Sequence, residues 1–445
     1  MHTQFRFWGG LDTIGGNIIE IRHGNDRVIC DFGRAYNPAD TIFSQASRDS
    51  QTPAMLRLGV IPPIDGVYTQ ADIAKAKLDI LSAEDATYNT AVFVSHLHLD
   101  HVGSLDALAP GIPVYMSTES KFFYGLLHQI GEQPNKPVSE ITAFDYETPV
   151  RIGNITVTGY PTDHDVYGNT ALLIETPDGR FVHSGDIRMR GSRPELNHAF
   201  IDTMRDQQVD YLLMEGTSFF PKSDTIPSAP VVATISENDL ADQFTKIIKA
   251  HTGVAFMNST HRNPDRLANI LKAAAQTGRV AVFEPKTSVL VSALFPDATF
   301  QVLTDDDTGD YMAALRQKYT FTTISTIAAN PSGYIVQNSF EHIFLLLEHE
   351  VTDAVYIHTN GVPLGPFDPA YGSMQSFLDK LGIAFASTQL SGHGSQTEIL
   401  AIVDRIKPKT LVPWHSLAPE TMVPNDPNQQ VLLPTLNHWF DLREV

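Results

Sequence analysis

The chain has 445 residues, 42% of them hydrophobic, with 31 Lys plus Arg against 51 Asp plus Glu, a formal net charge of −20 and one cysteine, Cys30. That length suggests two or three domains of ~150 residues with ordinary buried cores, and a lone cysteine excludes an internal disulfide framework. MHTQFRFWGG lacks the charged and apolar regions of a leader, no window approaches a membrane span, and the acidic balance excludes a broad basic face for nucleic acid, so a cytoplasmic protein with no membrane partner is expected.

In chain order, FRFWGG and then NIIEIRHGNDRVICDFG read as short strands, with HGND as the turn between two of them. Residues 36 to 72 carry prolines and no clean periodicity, which predicts a long irregular excursion at a site rim. AVFV is an apolar strand, and ALLIE and RFVHS around TPDG predict a hairpin. After Glu215 the pattern becomes alternating: DLADQFTKIIKAH helix, GVAFMNS strand, RLANILKAAAQTG helix, RVAVFE strand, and later AVYIHT and SMQSFLDKLG. Such alternation predicts a parallel sheet of its own. DDDTGD at 305 to 310 reads as a solvated acidic loop, and QTEILAIVDRIKP with TLVPWHS closes the pattern as helix and strand.

The densest chemical signal is SHLHLDHVG, where His96, His98, Asp100 and His101 follow AVFV directly. In an extended segment alternate residues share a side, so His96, His98 and Asp100 would converge while His101 turns to a neighbouring position. Four more candidates also sit just past apolar strands: His164 in PTDHDVYG, Asp186 in HSGDIR, Glu215 after YLLM and His415 after TLVP. Ligands gather at such strand ends. Imidazole and carboxylate without thiolate fit zinc, manganese or iron. Two cations could share a nucleophile and a bridging carboxylate, for which Asp186 is the candidate.

In SGHGSQTEIL, Ser395 and Glu398 have capping-box spacing, so a helix should begin there. His393 lies between two glycines just before it, where free amides favour an anion, and could bind a phosphoryl oxygen or protonate a leaving one. NSTHRNPDRL repeats the arrangement with Ser259, Thr260, His261 and Arg262 ahead of Asn263 and Pro264, as a second anion site or a plain strand-to-helix connection. His358 and Asn360 in YIHTNG read as an ordinary turn.

HLHLDH, His164 and SGD resemble the metal-binding motif series of the metallo-β-lactamase fold. MEGTS, SGHGSQ and PWHS resemble the further motifs of its β-CASP branch, whose bacterial members include the ribonuclease J enzymes. The resemblance implies an α/β architecture, a metallo-β-lactamase αββα sandwich, divided as 1–215 and 391–445 around a β-CASP insertion at 216–390 that walls the substrate cleft. It implies that His96, His98 and His164 hold one divalent ion, zinc first and manganese second, that Asp100, His101 and His415 hold another, and that Asp186 bridges. Glu215 would orient the metal-bound histidines or hydroxide and His393 would meet the scissile phosphate, so Asp100, Glu215 and His393 are the catalytic expectations. Ser259, Thr260 and Arg262 stand with His393 as substrate contacts. The expected activity is hydrolysis of single-stranded RNA, hydroxide attacking phosphorus to leave a 5′-phosphate, with self-association left open. A small-molecule metallohydrolase acting on a lactone, ester or cyclic phosphodiester is the alternative. Two departures from the ribonuclease J pattern bear on that choice: His415 is followed by Ser and Leu, and acids outnumber bases over 216–388.

Overall fold

The computed structural model describes residues 1–445 apart from 36–50, 133, 135, 222–234, 305–306, 349–351 and 444–445. Among the described residues the strands form three seven-stranded sheets. The first runs Phe440–Asp441, Thr3–Phe7, Ile19–His23, Asp26–Cys30, Asn89–Phe93, Val114–Ser117, Ile141–Phe144. The second runs Gln430–Val431, Thr410–Trp414, Tyr211–Glu215, Gly179–His183, Thr170–Thr176, Ile155–Pro161, Val150–Ile152.

Period-two alternation stacks these two sheets. Phe5, Phe7, Ile21, Val28 and Phe93 point from the first into a common core with Val157, Leu172, Ile174, Leu213 and Trp414 of the second. Each fully buried large side chain there is worth roughly 1.5 to 3 kcal/mol of transfer free energy. Outside the second sheet lie the helices Pro194–Asp206 and Gln396–Ile406, which bury Phe200, Ile201, Met204, Ile399, Ile402 and Val403 against Leu173, Val182 and Leu212. Helix Thr118–Gln129 covers the first sheet through Phe123 and Leu127. The layering is αββα.

The third sheet, Phe321–Thr322, Gln301–Leu303, Val280–Phe283, Tyr334–Gln337, Ala255–Ser259, Val355–Thr359, Ala384–Ser387, is parallel throughout. The helices Leu240–Lys249 and Pro264–Thr277 lie where the alternating pattern puts them. Asn263 caps the second of these by accepting from Arg266 N, and Gly278 ends it at φ +69°. Tyr211–Glu215 and Thr410–Trp414 are paired neighbours, Glu215 opposite Trp414, so the third sheet is inserted between two adjacent strands of the second. This is the metallo-β-lactamase sandwich with a β-CASP insertion.

Two local expectations need correction. Of the excursion at 36 to 72, residues 36–50 lie outside the described residues, but Gln51–Arg57 and Gln70–Ala76 are helices, the second capped by Thr69. Seven-residue helices are too short for periodicity to reveal. The histidine segment is not extended throughout either: Leu99–Val102 is a single helical turn with His98 at its N-cap. That turn moves Asp100 to the side of His101.

Candidate metal centre

The strands of the two stacked sheets deliver their polar residues to one end of the sandwich. His96 lies just beyond Asn89–Phe93, His164 beyond Ile155–Pro161, Asp186 beyond Gly179–His183, and His415 beyond Thr410–Trp414. His415 has φ +50° and its N–H donates to Gly10 O at 2.6 Å, which holds an unusual backbone at the site.

Among the described residues four overlapping groups of donor atoms result, each with its atoms within 4.8 Å of one another; two of them, His96, His98 and His164, and Asp100, His101, Asp186 and His415, share no residue, and the other two join His393 to His164 and Asp186 and to Glu215 and His415. Asp186 Oδ2 lies 3.6 Å from His96 Nε2 and 3.3 Å from His101 Nε2, between the groups. His96 Nε2 and Asp186 Oδ1 are buried without any hydrogen-bond partner. Buried orphans of this kind cost free energy, and a cation would satisfy both. The residues therefore fit divalent metal binding.

The protonation pattern of the first group agrees. Burial holds His96 and His98 below the ordinary imidazole range and His164 down at about 3, neighbouring imidazoles adding to the effect at each. Neutral rings with free lone pairs are what metal binding requires. For Asp186, burial opposes ionisation, but His415, His101 and His393 outweigh it and hold the carboxylate low. Burial also opposes the charge on His101, yet Asp186, Asp100 and Asp31 together raise it well above the usual value.

Several supporting residues were not singled out from the sequence. Asp31, at φ +61° just past Asp26–Cys30, accepts from His101 Nδ1 at 2.7 Å and from Ser95 N and Oγ. Its position at a strand end is the signal that served for Asp186. Thr217 Oγ1 lies 2.6 Å from His415 Nδ1, and Asn17 Nδ2 lies 2.9 Å from His101 Nε2. Only the folded chain brings these together.

Glu215 touches His393 rather than the histidines of the first group: its Oε1 lies 3.2 Å from His393 Nδ1, and Thr217 N donates to its Oε2 at 2.9 Å. Burial alone would lower His393, but Glu215 and Asp186 push it up to about 9. The capping box of Ser395 and Glu398 is present and fixes the loop that carries His393.

The second anion site takes a different form. Arg262 is partly buried, and its guanidinium donates to Leu97 O at 3.1 Å and to Glu132 O. Thr260 Oγ1 accepts from Arg262 N, and Ser259 is buried. Arg262 is thus engaged with carbonyls of the first part of the chain, including the peptide between His96 and His98. His358 is likewise buried, its Nε2 2.9 Å from Pro363 O.

Comparison with known proteins yields a family match, described as a beta-lactamase superfamily domain, over residues 80–228. Ribonuclease J of Mycoplasma genitalium is 21% identical over 93% of this chain and 68% of its own length. The chain is a ribonuclease J-like protein of the metallo-β-lactamase fold. Ribonuclease J of Mycolicibacterium smegmatis is 22% identical over 92% of the chain and 67% of its length, so the ribonuclease J-like chain spans about two thirds of these relatives. A crystal structure of a protein of unknown function from Enterococcus faecalis is 28% identical, with a TM-score of 0.81, over 99% of this chain and 100% of that one. The ribonuclease J-like chain is a metal-dependent hydrolase. None of its described helices is long and apolar enough to cross a membrane.

Proposed function

We propose that this protein hydrolyses phosphodiester bonds of single-stranded RNA, leaving 5′-phosphate products, with two divalent cations as cofactors. The observation that carries the reading is the pair of adjacent donor groups sharing Asp186, with His393 beside them. His96, His98 and His164 would hold one ion and Asp100, His101 and His415 the other, zinc or manganese by donor type. When bound, such ions supply Lewis acidity and a water that ionises near neutral pH.

The chain's own residues do the rest. Asp31 and Thr217 hold His101 and His415 by their Nδ1 atoms, so each ring presents Nε2 to the centre. Glu215 holds Nδ1 of His393, which leaves its Nε2 for a phosphoryl oxygen or the departing 3′ oxygen. The half-buried His393 side chain is positioned as the proton donor.

The domain division 1–215, 216–390 and 391–445 belongs to the same reading, with the third sheet as the opposite wall of an RNA cleft. A second reading, hydrolysis of a small phosphodiester, ester or lactone, draws support from the engagement of Arg262 by carbonyls and the acid excess of that wall. Metal-reconstituted protein assayed on 5′-labelled RNA and on a panel of small phosphodiesters and lactones decides between them. Inert RNA beside a rapidly hydrolysed small molecule would move the protein to the second reading.

A further inference from the structure

Asp165 follows His164 directly, and none of the roles above employs it. Its Oδ1 lies 3.2 Å from His164 Nε2 and 3.7 Å from His98 Nε2. The atom is buried and accepts no hydrogen bond, an arrangement in which the lost hydration must be returned by some nearby positive group. The buried guanidinium of Arg188 is committed to Asp163, Glu237 and Asp265.

His164 does not supply the missing donor. Its Nδ1 donates to the carbonyl of Gly392, which turns Nε2 toward Asp165 and His98. Asp165 Oδ1 and His98 Nδ1 lie 3.2 Å and 3.1 Å from this one nitrogen, three donor atoms close enough to share a single cation. Two donors bound to one ion at ~2.0 to 2.2 Å stand roughly 3 to 3.5 Å apart, and the observed separation falls in that range. Space is also reserved for the carboxylate: a methyl at Gly392 would come within 2.7 Å of Asp165 Oδ1.

We infer that Asp165 is a further protein ligand of the cation held by His96, His98 and His164, adding an oxygen donor beside that of Asp186. This rests on the metal-centre reading above. Carboxylate ligands suit manganese better than an all-imidazole set does, so Asp165 biases this position toward the harder ion.

The test uses the full chain. Asp165→Cys loaded with cobalt(II) should show a thiolate-to-cobalt charge-transfer absorption that the cobalt-loaded parent lacks, since the parent's single cysteine, Cys30, is buried in the first sheet. Asp165→Asn should bind manganese at least ~10-fold more weakly by equilibrium dialysis, with a smaller loss for zinc. This second measurement stands alone if the cysteine variant does not fold. A folded, cobalt-loaded Asp165→Cys without the band, or Asp165→Asn with parental manganese and zinc affinities, would overturn the inference and leave the metal centre intact. A parent chain that takes up none of the three metals would overturn both.

Discussion

His393 Nδ1 stands 3.2 Å from Glu215 Oε1, joining a loop that follows the inserted sheet to the last residue of the strand that precedes it. The contact gives Glu215 control over the proton of His393. His393→Ala should retain its metals yet lose ~10² to 10⁴ in turnover, the scale of a general acid or a key oxyanion contact. Parental turnover in that variant would remove His393 from the chemistry.

The same pair sets a pH dependence. Glu215 and Asp186 raise His393 to about 9 against the effect of burial, so its proton is present below that value and lost as pH rises through it. In Glu215→Gln the first of these carboxylates is neutral, and the basic limb of kcat/KM should move to lower pH. A limb that stays in place would assign it to another group.

Asp186 lies between the two donor groups, and in the proposed two-ion centre its carboxylate would serve both ions. Asp186→Ala should lose at least one metal per chain by elemental analysis. Asp31→Ala, which removes the acceptor for His101 Nδ1 and for Ser95 and the charge beside His183, should keep the ligands and weaken binding by ~10 to 100-fold. Equal metal content and affinity in both variants would place the ions elsewhere.

Glu132 accepts from His261 Nε2 at 2.6 Å and lies near Lys286. Burial opposes its charge, but the bond from His261, with Arg262 and Lys286, holds the carboxyl down at about 2. A depressed carboxylate contributes stability above its unfolded pKa of ~4.3 and loses it as pH falls toward the folded value, at most about 3 kcal/mol here. Urea titrations of the parent and Glu132→Gln should differ at pH 6 and converge near pH 2. A constant difference across that window would show that the pairing is not what the substitution removes.

Much of this donor cluster is legible in the sequence, because strand ends announce themselves: an apolar run stops and the next polar residue faces the rim. His96, Asp186, Glu215 and His415 were legible on that ground, and the inserted sheet on its alternation of periods. Arg262 was not, since a guanidinium ahead of a helix looks the same whether it awaits an anion or already holds the carbonyl of Leu97. The turn at Leu99–Val102 is too short to leave a periodic trace. Asp165 is hidden for another reason: its neighbour His164 is visible in the sequence, but the approach of His98 and Gly392 that closes the cluster is not.

Few charged groups are left to attract RNA from a distance when the whole chain carries −20. If cleavage rests on a few phosphates held near the centre, its rate should fall only modestly between low and moderate salt. A steep loss with salt, measured on single-stranded RNA, would point to an extended basic track.

The pairing of Tyr211–Glu215 with Thr410–Trp414 has a consequence for the birth of the molecule. On the ribosome, the first of these strands emerges about 200 residues before its neighbour, and such non-local pairing is slow to form. Until then one flank of the second sheet is an open edge, able to pair with another nascent chain. The inserted sheet, whose strands are contiguous in sequence, can finish folding during that wait. Synthesis itself thus orders the assembly: the insertion first, then the closing strand that brings in His415, and after it the edge strands Gln430–Val431 and Phe440–Asp441.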